Sequence, residues 1–506
     1  MDEMTEKGLS RRDLLKGAGI GMASIAMLGA VTACSPGSDG ADTGGDVTGD
    51  GANVSTAPSW DRSNKAADIA DADIAETLDT EILVCGGGFA GTAVAARAAE
   101  LGAKVILVEK DAILHGNGIG GTGAAWSKML QELYAPQGYY IDKVLNQGRW
   151  VKTCAGRCRE SFVAKWFRES EKTMDWLLDM SLADGAVCMI TANASNQRLH
   201  EEEHSYHWLM GGGVGDIPVE DLGGFGPDAP PSKYPEINFA TIAEYRFKAL
   251  AEGSGNAQFL FETPLVQLIQ PGGEGTQVTG AICQKADGSY LRINASKGVV
   301  LATGDISYND EMMDAFAPIG QKVLTKLNGA PGNVGDGHRL GYWAGGAFQD
   351  GPWATMMHPQ AAAGFHGPFL FVNPQGKRFM CEATWVQGKC VGVIENGKSP
   401  YAWSIFDQNW KTYLLESLPV GGGMFWDTFR MFGSSYEEAV EATAGQVEGG
   451  LQDGTGNFVQ ADTLEELAAL IEVPVDVFTA EVARYNGMAE AHEDTDFFKD
   501  PVFVTP

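Results

Sequence analysis

The stretch TEILVCGGGFAG at residues 80–91, followed by VILVE at 105–109, decides the fold of this chain. Residues 82–84 form a short apolar run, which is typical of a strand buried on both faces. The spacing G-x-G-x-x-G comes next. Its first glycine permits a tight turn, its second lets backbone approach a pyrophosphate, and its third lets a helix pack closely on a strand. These glycines are Gly86, Gly88 and Gly91.

The residues after the glycines complete a dinucleotide-binding pattern. Residues 90–101 are predicted to form a helix of small residues whose N-terminal N–H groups face phosphates. A second strand is predicted at 105–108. Glu109 follows it, 18 residues after Gly91, where an acid accepts hydrogen bonds from ribose hydroxyls. Because this acid suits an unphosphorylated ribose, the pattern favours FAD or NAD over NADP. The alternative is a glycine-rich turn without a ligand.

Composition sets the scale of the molecule. With 506 residues, of which 44% are hydrophobic, the chain is long enough for two or more domains with a large core. The formal net charge of −30 argues against a nucleic-acid partner and against binding of the folded part to anionic membranes. The eight cysteines form no disulfide framework, and no metal-ligand set is predicted. Cys154 and Cys158 are expected to be either a disulfide or buried thiols.

The N-terminus predicts export. Residues 10–16, SRRDLLK, resemble a twin-arginine signal, and residues 17–33 carry no charge but are too short for a good membrane span. VTAC at 31–34 resembles a bacterial lipobox, in which Cys34 is acylated; ordinary cleavage with an incidental cysteine is the alternative. Residues 1–34 are therefore predicted to be a signal and 35–78 a disordered linker. The expected location is the cell envelope or periplasm.

Further along the chain, residues 162–182 predict a core helix, residues 258–269 a strand, and Asp287-Gly288 a hairpin turn. The apolar residues assigned to the core of that helix include Phe162. Residues 463–466, TLEE, predict a helix N-terminus with a capping box.

A resemblance to a known family becomes specific after Glu109. Residues 115–123, HGNGIGGTG, place five glycines in nine residues, which suggests backbone lying against a flat or charged group. This pattern, after G-x-G-x-x-G, resembles the FAD-binding domain of the fumarate reductase/succinate dehydrogenase flavoprotein superfamily. That superfamily includes flavocytochrome-type fumarate reductases, urocanate reductase-like enzymes and 3-ketosteroid dehydrogenases. The resemblance implies an α/β fold: a Rossmann-like FAD-binding domain at 79–355 and an inserted α+β capping domain at 356–506.

Two later segments extend the resemblance. Residues 302–305, ATGD, are similar to the family's A-T-G-G strand end, but Asp305 adds a charge where the family has glycine. Residues 333–337, NVGDG, are similar to its G-D-G turn. The resemblance implies non-covalent FAD bound by Gly86, Gly88, Phe89, Ala90, Gly91, Glu109, Lys110, Gly116, Asn117, Gly121, Thr122, Gly123, Leu265, Ala302, Thr303, Gly304 and Asp336.

The catalytic residues are predicted in the capping domain. His358 lies in an element similar to the family's H-P-T, and VNPQGKRFMCE at 372–382 is similar to V-N-x-x-G-x-R-F-x-N-E. Arg378 and Glu382 are expected to pair across a cleft; a domain-stabilising ion pair is the alternative. Val386 stands where the fumarate-reducing branch has its proton-donating Arg. A tyrosine would have to serve as the acid in its place, and Tyr401 and Tyr342 are both candidates.

These features predict an exported FAD-dependent enzyme that reduces an activated C=C bond of an enoate or enone. Fumarate is disfavoured because valine can neither carry a proton nor bind a carboxylate, and Trp385 favours a larger, more apolar substrate. The electron donor would be a separate multihaem cytochrome or membrane quinol system. The alternatives are a ketosteroid-type dehydrogenase and a catalytically disabled flavin- or ligand-binding lipoprotein. The family's C-terminal return to the FAD domain is not recognisable. The expected explanations are a truncated gene product, a separate polypeptide that completes the domain, or a reduced cofactor site.

Overall fold

The structure is a computed structural model that describes residues 57–114, 121–133, 135–137, 142–183, 187–192, 205–210, 242–324, 326, 332–357, 369–384, 386–418, 435–452, 454 and 456–506. The predicted signal, the linker up to residue 56, Gly116, Asn117, His358 and Trp385 lie outside these residues. No described helix is long and apolar enough to cross a membrane.

The described strands are β1 Ile74–Cys85, β2 Val105–Val108, β3 Gly121–Ala124, β4 Val187–Ala192, β5 Ser205–Met210, β6 Ala257–Leu260, β7 Leu265–Ile269, β8 Gly280–Gln284, β9 Tyr290–Leu301, β10 Leu370–Val372 and β11 Trp403–Ile405. The described α-helices are α1 Phe89–Glu100, α2 Lys128–Leu133, α3 Lys143–Thr153, α4 Glu160–Ala183, α5 Ile242–Gly253, α6 Asp310–Phe316, α7 Asp336–Trp343, α8 Val386–Glu395, α9 Trp410–Ser417, α10 Tyr436–Gln452, α11 Leu464–Leu470 and α12 Val475–Ala491.

A six-stranded sheet with the order β6-β2-β1-β9-β8-β7 forms the centre of the dinucleotide-binding part. Strand β1 runs parallel to β2 and β9. Apolar clusters cover the apolar residues at its C-terminal end on both faces of the sheet, as its sequence predicts. One face packs against α1, α4 and α5, with Phe247 at the centre. The other face holds a separate cluster around Leu83, Cys85 and Ile293. The carboxyl ends of β1 and β9 therefore meet at one edge, where ligands of such sheets bind.

Two predictions about this sheet are wrong in detail. Residues 258–269 form two strands instead of one, because Glu262 has a φ of +48° and Pro264 has no N–H to donate to a ladder. The linker prediction also extends too far, since β1 begins at Ile74. Before it, Trp60 packs against Phe316 with ring centroids 5.1 Å apart.

A second sheet, ordered β3-β5-β4, is antiparallel and packs with the long helix α4. The predicted helix is confirmed, with Met174 and Leu177 buried in the core. Phe162 contradicts its core assignment: it is 64% exposed, because it occupies the outward face of the first turn of α4. The predicted hairpin is confirmed, with Gly288 at a φ of +85° between β8 and β9.

Beyond residue 369, the short pair β10–β11 is surrounded by α8 to α12. Its core contains Phe478 and Tyr485 of α12 together with Val372 of β10. The predicted N-terminus of α11 is confirmed, since the Glu466 N–H donates to Thr463 Oγ1 over 3.2 Å. Met357 and Ile319 pack in one cluster with Ile394 of α8, so apolar contacts cross the predicted boundary at residue 356.

Candidate FAD site

The turn after β1 has space only for glycine. Gly86 has a φ of +109°, and a Cβ added there would lie 2.2 Å from the carbonyl oxygen of Ala302. A Cβ on Gly91 would lie 1.9 Å from the carbonyl oxygen of Gly86. Both distances are far inside van der Waals contact, so these glycines allow β1, β9 and α1 to approach one another. The physical roles predicted from their spacing are the ones the backbone requires.

The N-terminus of α1 opens into the cleft beside this turn. Gly88 is the N-cap residue and has no side chain to satisfy the first N–H groups of the helix. Phe89 and Ala90 follow and line the cleft. Free N–H groups at a helix N-terminus, together with the helix dipole, form a binding site for a phosphate.

Glu109 is held by two backbone donors at the end of β2. The Gly87 N–H donates to its Oε2 over 2.5 Å, and the Asp111 N–H donates to its Oε1 over 3.0 Å. The residue is 7% exposed and lines the cleft. Each carboxylate oxygen can accept a further hydrogen bond, so Glu109 is both fixed in place and able to accept from a ribose hydroxyl.

The end of β9 forms the opposite wall. The Ala302 N–H donates to the Cys85 carbonyl over 2.8 Å, and the Gly337 N–H donates to Thr303 Oγ1 over 3.0 Å. Gly304 has a φ of +79°. Asp305, the departure from the family pattern, is exposed and does not line the cleft; its Oδ1 accepts from the Ser307 N–H over 2.8 Å. Its charge is thus used in a local turn.

A charged pair closes one side. Lys110 Nζ lies 3.5 Å from Asp336 Oδ2 and donates to the Gly332 carbonyl. Arg339 holds the other oxygen of Asp336 at 3.0 Å. Lys110 and Asp336 both line the cleft, which places one cation and one anion beside the phosphate-binding helix end.

The resulting cleft measures about 530 Å³. Its lining brings together eleven of the predicted cofactor-binding residues: Gly86, Gly88, Phe89, Ala90, Glu109, Lys110, Leu265, Ala302, Thr303, Gly304 and Asp336. Gly91 lies behind the turn, and Gly121, Thr122 and Gly123 form β3, where their cofactor contact stays a prediction. In the described part of the chain, no group of three His, Cys, Asp or Glu residues could hold a metal ion.

His338 also lines this cleft, and sequence reasoning did not select it. Burial lowers the pKa of its imidazole, although the nearby Asp305 acts in the opposite direction. Its ring stacks on Trp353 with centroids 5.6 Å apart. The only signal was its place two residues after Asp336 in the first turn of α7. Gly87, Thr263 and Asn333 were missed as well, because turn residues become lining only when the strand ends converge.

Arg378 and Glu382 come together, as predicted, but inside the protein. Arg378 donates from Nε and Nη2 to the two oxygens of Glu382, each over 2.9 Å. It donates from Nη1 and Nη2 to Asp494, over 2.9 and 2.8 Å. Lys499 Nζ lies 3.2 Å from Glu382 Oε2 and donates to the Tyr485 hydroxyl over 2.6 Å. The side chains of Arg378, Glu382, Asp494 and Lys499 have no exposed surface. We refer to these four residues together with Tyr485 as the Arg378 network.

Electrostatics bind this network tightly. Burial opposes ionisation of Asp494, but hydrogen bonds from Arg378 and three backbone N–H groups outweigh it and hold its pKa well below the ordinary value. Burial also opposes the charge of Lys499, yet Glu382 and Tyr485 keep its pKa raised. Full burial with every partner inside the capping part favours the domain-stabilising alternative for Arg378 and Glu382. Their catalytic role stays a prediction.

The remaining candidates occupy different surroundings. Tyr401 is 42% exposed, in the loop before β11. Tyr342 stacks on Phe348 at 4.5 Å, and the Arg62 guanidinium lies 4.3 Å from its ring centroid, so its ring is part of a packed aromatic cluster. Val386 begins α8. Cys154 and Cys158 are half-buried thiols that are not joined in a disulfide.

Comparison with known proteins decides between the two cofactors that the turn allows. The model of the FAD-binding domain family matches residues 81–505. The chain belongs to this family. Its cofactor is FAD, and the chain is a flavoprotein of the FAD-dependent oxidoreductase superfamily. The structure fits this group: the glycine cradle, the uncapped helix N-terminus, Glu109 and Lys110 supply contacts for pyrophosphate and ribose.

Curated relatives match this chain at low sequence identity. The chain is 26% identical to NADH:acrylate oxidoreductase of Vibrio harveyi over 86% of this chain and 44% of that protein. It is 26% identical to fumarate reductase (cytochrome) of Shewanella frigidimarina over 86% of this chain and 65% of that one. The chain thus spans less than two thirds of either relative. The 3-ketosteroid Δ1-dehydrogenase structure from Sterolibacterium denitrificans shares the fold, with a TM-score of 0.57 at 18% identity, covering 84% of this chain and 82% of that one.

Proposed function

We propose that this flavoprotein reduces the activated C=C bond of an enoate or enone that is larger and less charged than fumarate. The observation that carries the proposal is Val386, which stands where the fumarate-reducing branch has its acid, on a chain that otherwise retains the FAD-binding walls. The names of two relatives, an acrylate oxidoreductase and a fumarate reductase, support the reaction class. Valine cannot neutralise a second carboxylate, so a short dicarboxylate would bind poorly.

The residues of this chain have defined tasks in that reaction. When bound and reduced by the external electron donor, the flavin would supply the hydride for the substrate carbon. The N-terminus of α1 and Lys110 hold the phosphates, and Glu109 fixes the ribose, so the cofactor is oriented by groups on rigid strand and helix ends. His338 contributes its ring to the wall, and burial lowers the pKa of its imidazole. A proton for the second substrate carbon would come from Tyr401, whose hydroxyl-bearing ring is accessible.

The test is anaerobic. The FAD-loaded protein is reduced with dithionite and mixed with matched acids and ketones, and flavin absorbance follows reoxidation. We expect reoxidation by aryl enoates and enones, which are larger than fumarate, and none by fumarate. Reoxidation by fumarate at a similar rate, or by no substrate in the panel, contradicts the proposal. Tyr401→Phe should slow reoxidation at least 100-fold, whereas Tyr413→Phe, in α9, serves as a matched control.

We also propose that the protein works outside the cytoplasm and receives electrons from a separate multihaem cytochrome or membrane quinol system. The signal-like residues 10–16 and the lipobox-like residues 31–34 support the export proposal. The export proposal is tested by cell fractionation of the wild type and of the double variant Arg11→Lys/Arg12→Lys. Retention of the double variant in the cytoplasm is the expected outcome, and identical fractionation of both forms contradicts it.

A further inference from the structure

The antiparallel helices α3 and α4 carry a basic surface on a strongly acidic protein. Between residues 142 and 183, which include both helices, the chain has eight Lys and Arg against six Asp and Glu, whereas the whole chain has a net charge of −30. Seven of these eight basic residues are exposed, namely Lys143, Lys152, Arg157, Arg159, Lys165, Arg168 and Lys172.

The basic residues of α4 form one stripe. Lys165, Arg168 and Lys172 follow the spacing i, i+3, i+7, so they project from the same face of the helix. Among the described residues, no carboxylate lies within 4 Å of Lys165 or Arg168, and Lys172 pairs with Glu169 at 3.6 Å only through exposed groups. Their charge is thus available to an external partner.

Exposed apolar side chains accompany this stripe. Val144 is 87% exposed, Leu145 46% and Phe162 64%. Between the helices runs an open groove of about 810 Å³ that Val144, Phe167 and Arg168 line. Exposed apolar groups ringed by charge are typical of a surface that binds a partner.

The floor of the groove contacts the segment after β3, which carries predicted FAD-binding residues. Phe167 is buried against Ala125, and the Ala125 N–H donates to Ser170 Oγ of α4 over 3.0 Å. Ala125 directly follows β3, whose residues Gly121–Ala124 include three predicted FAD contacts. One buried side chain, Phe167, therefore separates the basic surface from the segment that leads into the predicted cofactor loop.

We propose that the surface of α3 and α4 is the docking site for an acidic electron-carrying protein. The assignment rests on the proposed function, which requires an external donor. Complementary charge would speed encounter, and the exposed apolar residues would fix the complex once formed. For each FAD reduced, two electrons leave two reduced one-electron centres of the carrier, and one proton is taken from water.

The test uses a small, acidic multihaem c-type cytochrome as the probe. Binding of its oxidised form to the FAD-loaded protein is measured by calorimetry at low ionic strength, which requires no turnover. The variant is Lys165→Glu/Arg168→Glu/Lys172→Glu. The matched control, Lys285→Glu/Lys297→Glu/Lys411→Glu, makes the same change in net charge at exposed sites elsewhere. A second variant, Val144→Ser/Phe162→Ser, removes the apolar contacts and leaves the charge unchanged.

We expect the basic-stripe variant to bind the cytochrome at least tenfold more weakly than the control, and its binding to lose most of its salt dependence. Flavin reduction by the reduced cytochrome should slow similarly, while reduction by dithionite-reduced methyl viologen, a small dye that needs no docking, stays unchanged. The serine variant should also bind more weakly.

Equal binding by the stripe variant and the control overturns the proposal. The proposal is also overturned if the protein does not bind the cytochrome. It is overturned as well if the basic stripe instead causes binding to phosphatidylglycerol vesicles or self-association of the protein. Failure of the proposed function is separately visible, because a protein that reoxidises on no enoate or enone can still be scored for cytochrome binding.

Discussion

The FAD cleft is built mainly from backbone, whereas the Arg378 network is built from charged side chains. The cleft is made of turn backbone, and its decisive residues, Gly86 and Gly91, contribute the absence of a side chain. The network is made of long side chains, and its decisive residue, Arg378, makes four hydrogen bonds to two carboxylates. A site that must admit a ligand leaves donors unsatisfied, whereas a core that must exclude water satisfies them internally.

The comparison predicts a large stability loss when the network is broken. Arg378→Ala leaves Glu382 and Asp494 buried without their partner, and we expect the free energy of unfolding of the capping part to fall by about 3–5 kcal/mol. Urea unfolding measures this. The control is Lys411→Ala, which removes an exposed pair with Glu441 and should cost about 0–1 kcal/mol. Equal losses for both variants would contradict the structural role of the network.

A substitution in the turn of the cleft should lower the affinity for FAD. Gly91→Ala places a methyl group against the Gly86 carbonyl, which must shift the turn, and we expect FAD affinity to fall at least 100-fold, about 2.7 kcal/mol. Fluorescence titration of FAD measures it. Gly253→Ala is the control, since no atom lies within 4 Å of its added Cβ. Full FAD affinity in Gly91→Ala would mean that the turn is not the phosphate site.

A smaller effect is expected from Glu109. In Glu109→Gln one acceptor oxygen becomes an NH₂ group, so the Gly87 or Asp111 N–H loses its partner and one ribose contact weakens. We expect FAD affinity to fall about tenfold, which corresponds to about 1.4 kcal/mol. The same titration measures it, with the exposed Glu262→Gln as the control. An unchanged dissociation constant would sink the ribose assignment.

The smallest effect is a pH dependence specific to the network. The pKa of Asp494 is lowered in the folded protein, so the unfolded chain takes up a proton first as the pH falls. The stabilisation is complete above the unfolded value of about 3.9 and declines below it, by at most about 1.4 kcal/mol per pH unit. The free energy of unfolding, measured at pH 5 and at pH 3, should fall less between these two pH values for Asp494→Asn than for the wild type. Equal slopes would assign the acid sensitivity to other carboxylates.

Sequence reasoning reached the cleft because its parts carry local signals. Glycine spacing, a buried strand and a following acid each require only a short window, and all of them line or frame the observed cleft. The same reasoning missed His338, which has no motif of its own. It also placed Phe162 in the core, because helical spacing does not tell which face of the first turn meets a neighbour.

The partners of Arg378 were beyond sequence reasoning for a different reason. Asp494 lies 116 residues away along the chain and Lys499 lies 117 residues from Glu382, and neither belongs to a motif. Only packing of α12 against β10 brings them together and removes water from the cluster. A motif shows that Arg378 and Glu382 face each other, but the choice between a cleft and a core depends on what covers them.

By itself, then, the sequence determined the dinucleotide-binding turn, because backbone constraints at Gly86 and Gly91 are local and leave few alternatives. The tertiary structure decided which charges are hidden and which are displayed. It buried Arg378 with Asp494, used Asp305 in a local turn, and left Lys165, Arg168 and Lys172 on one exposed helix face. Burial is a property of the surroundings of a side chain, and those surroundings are assembled from distant parts of the chain.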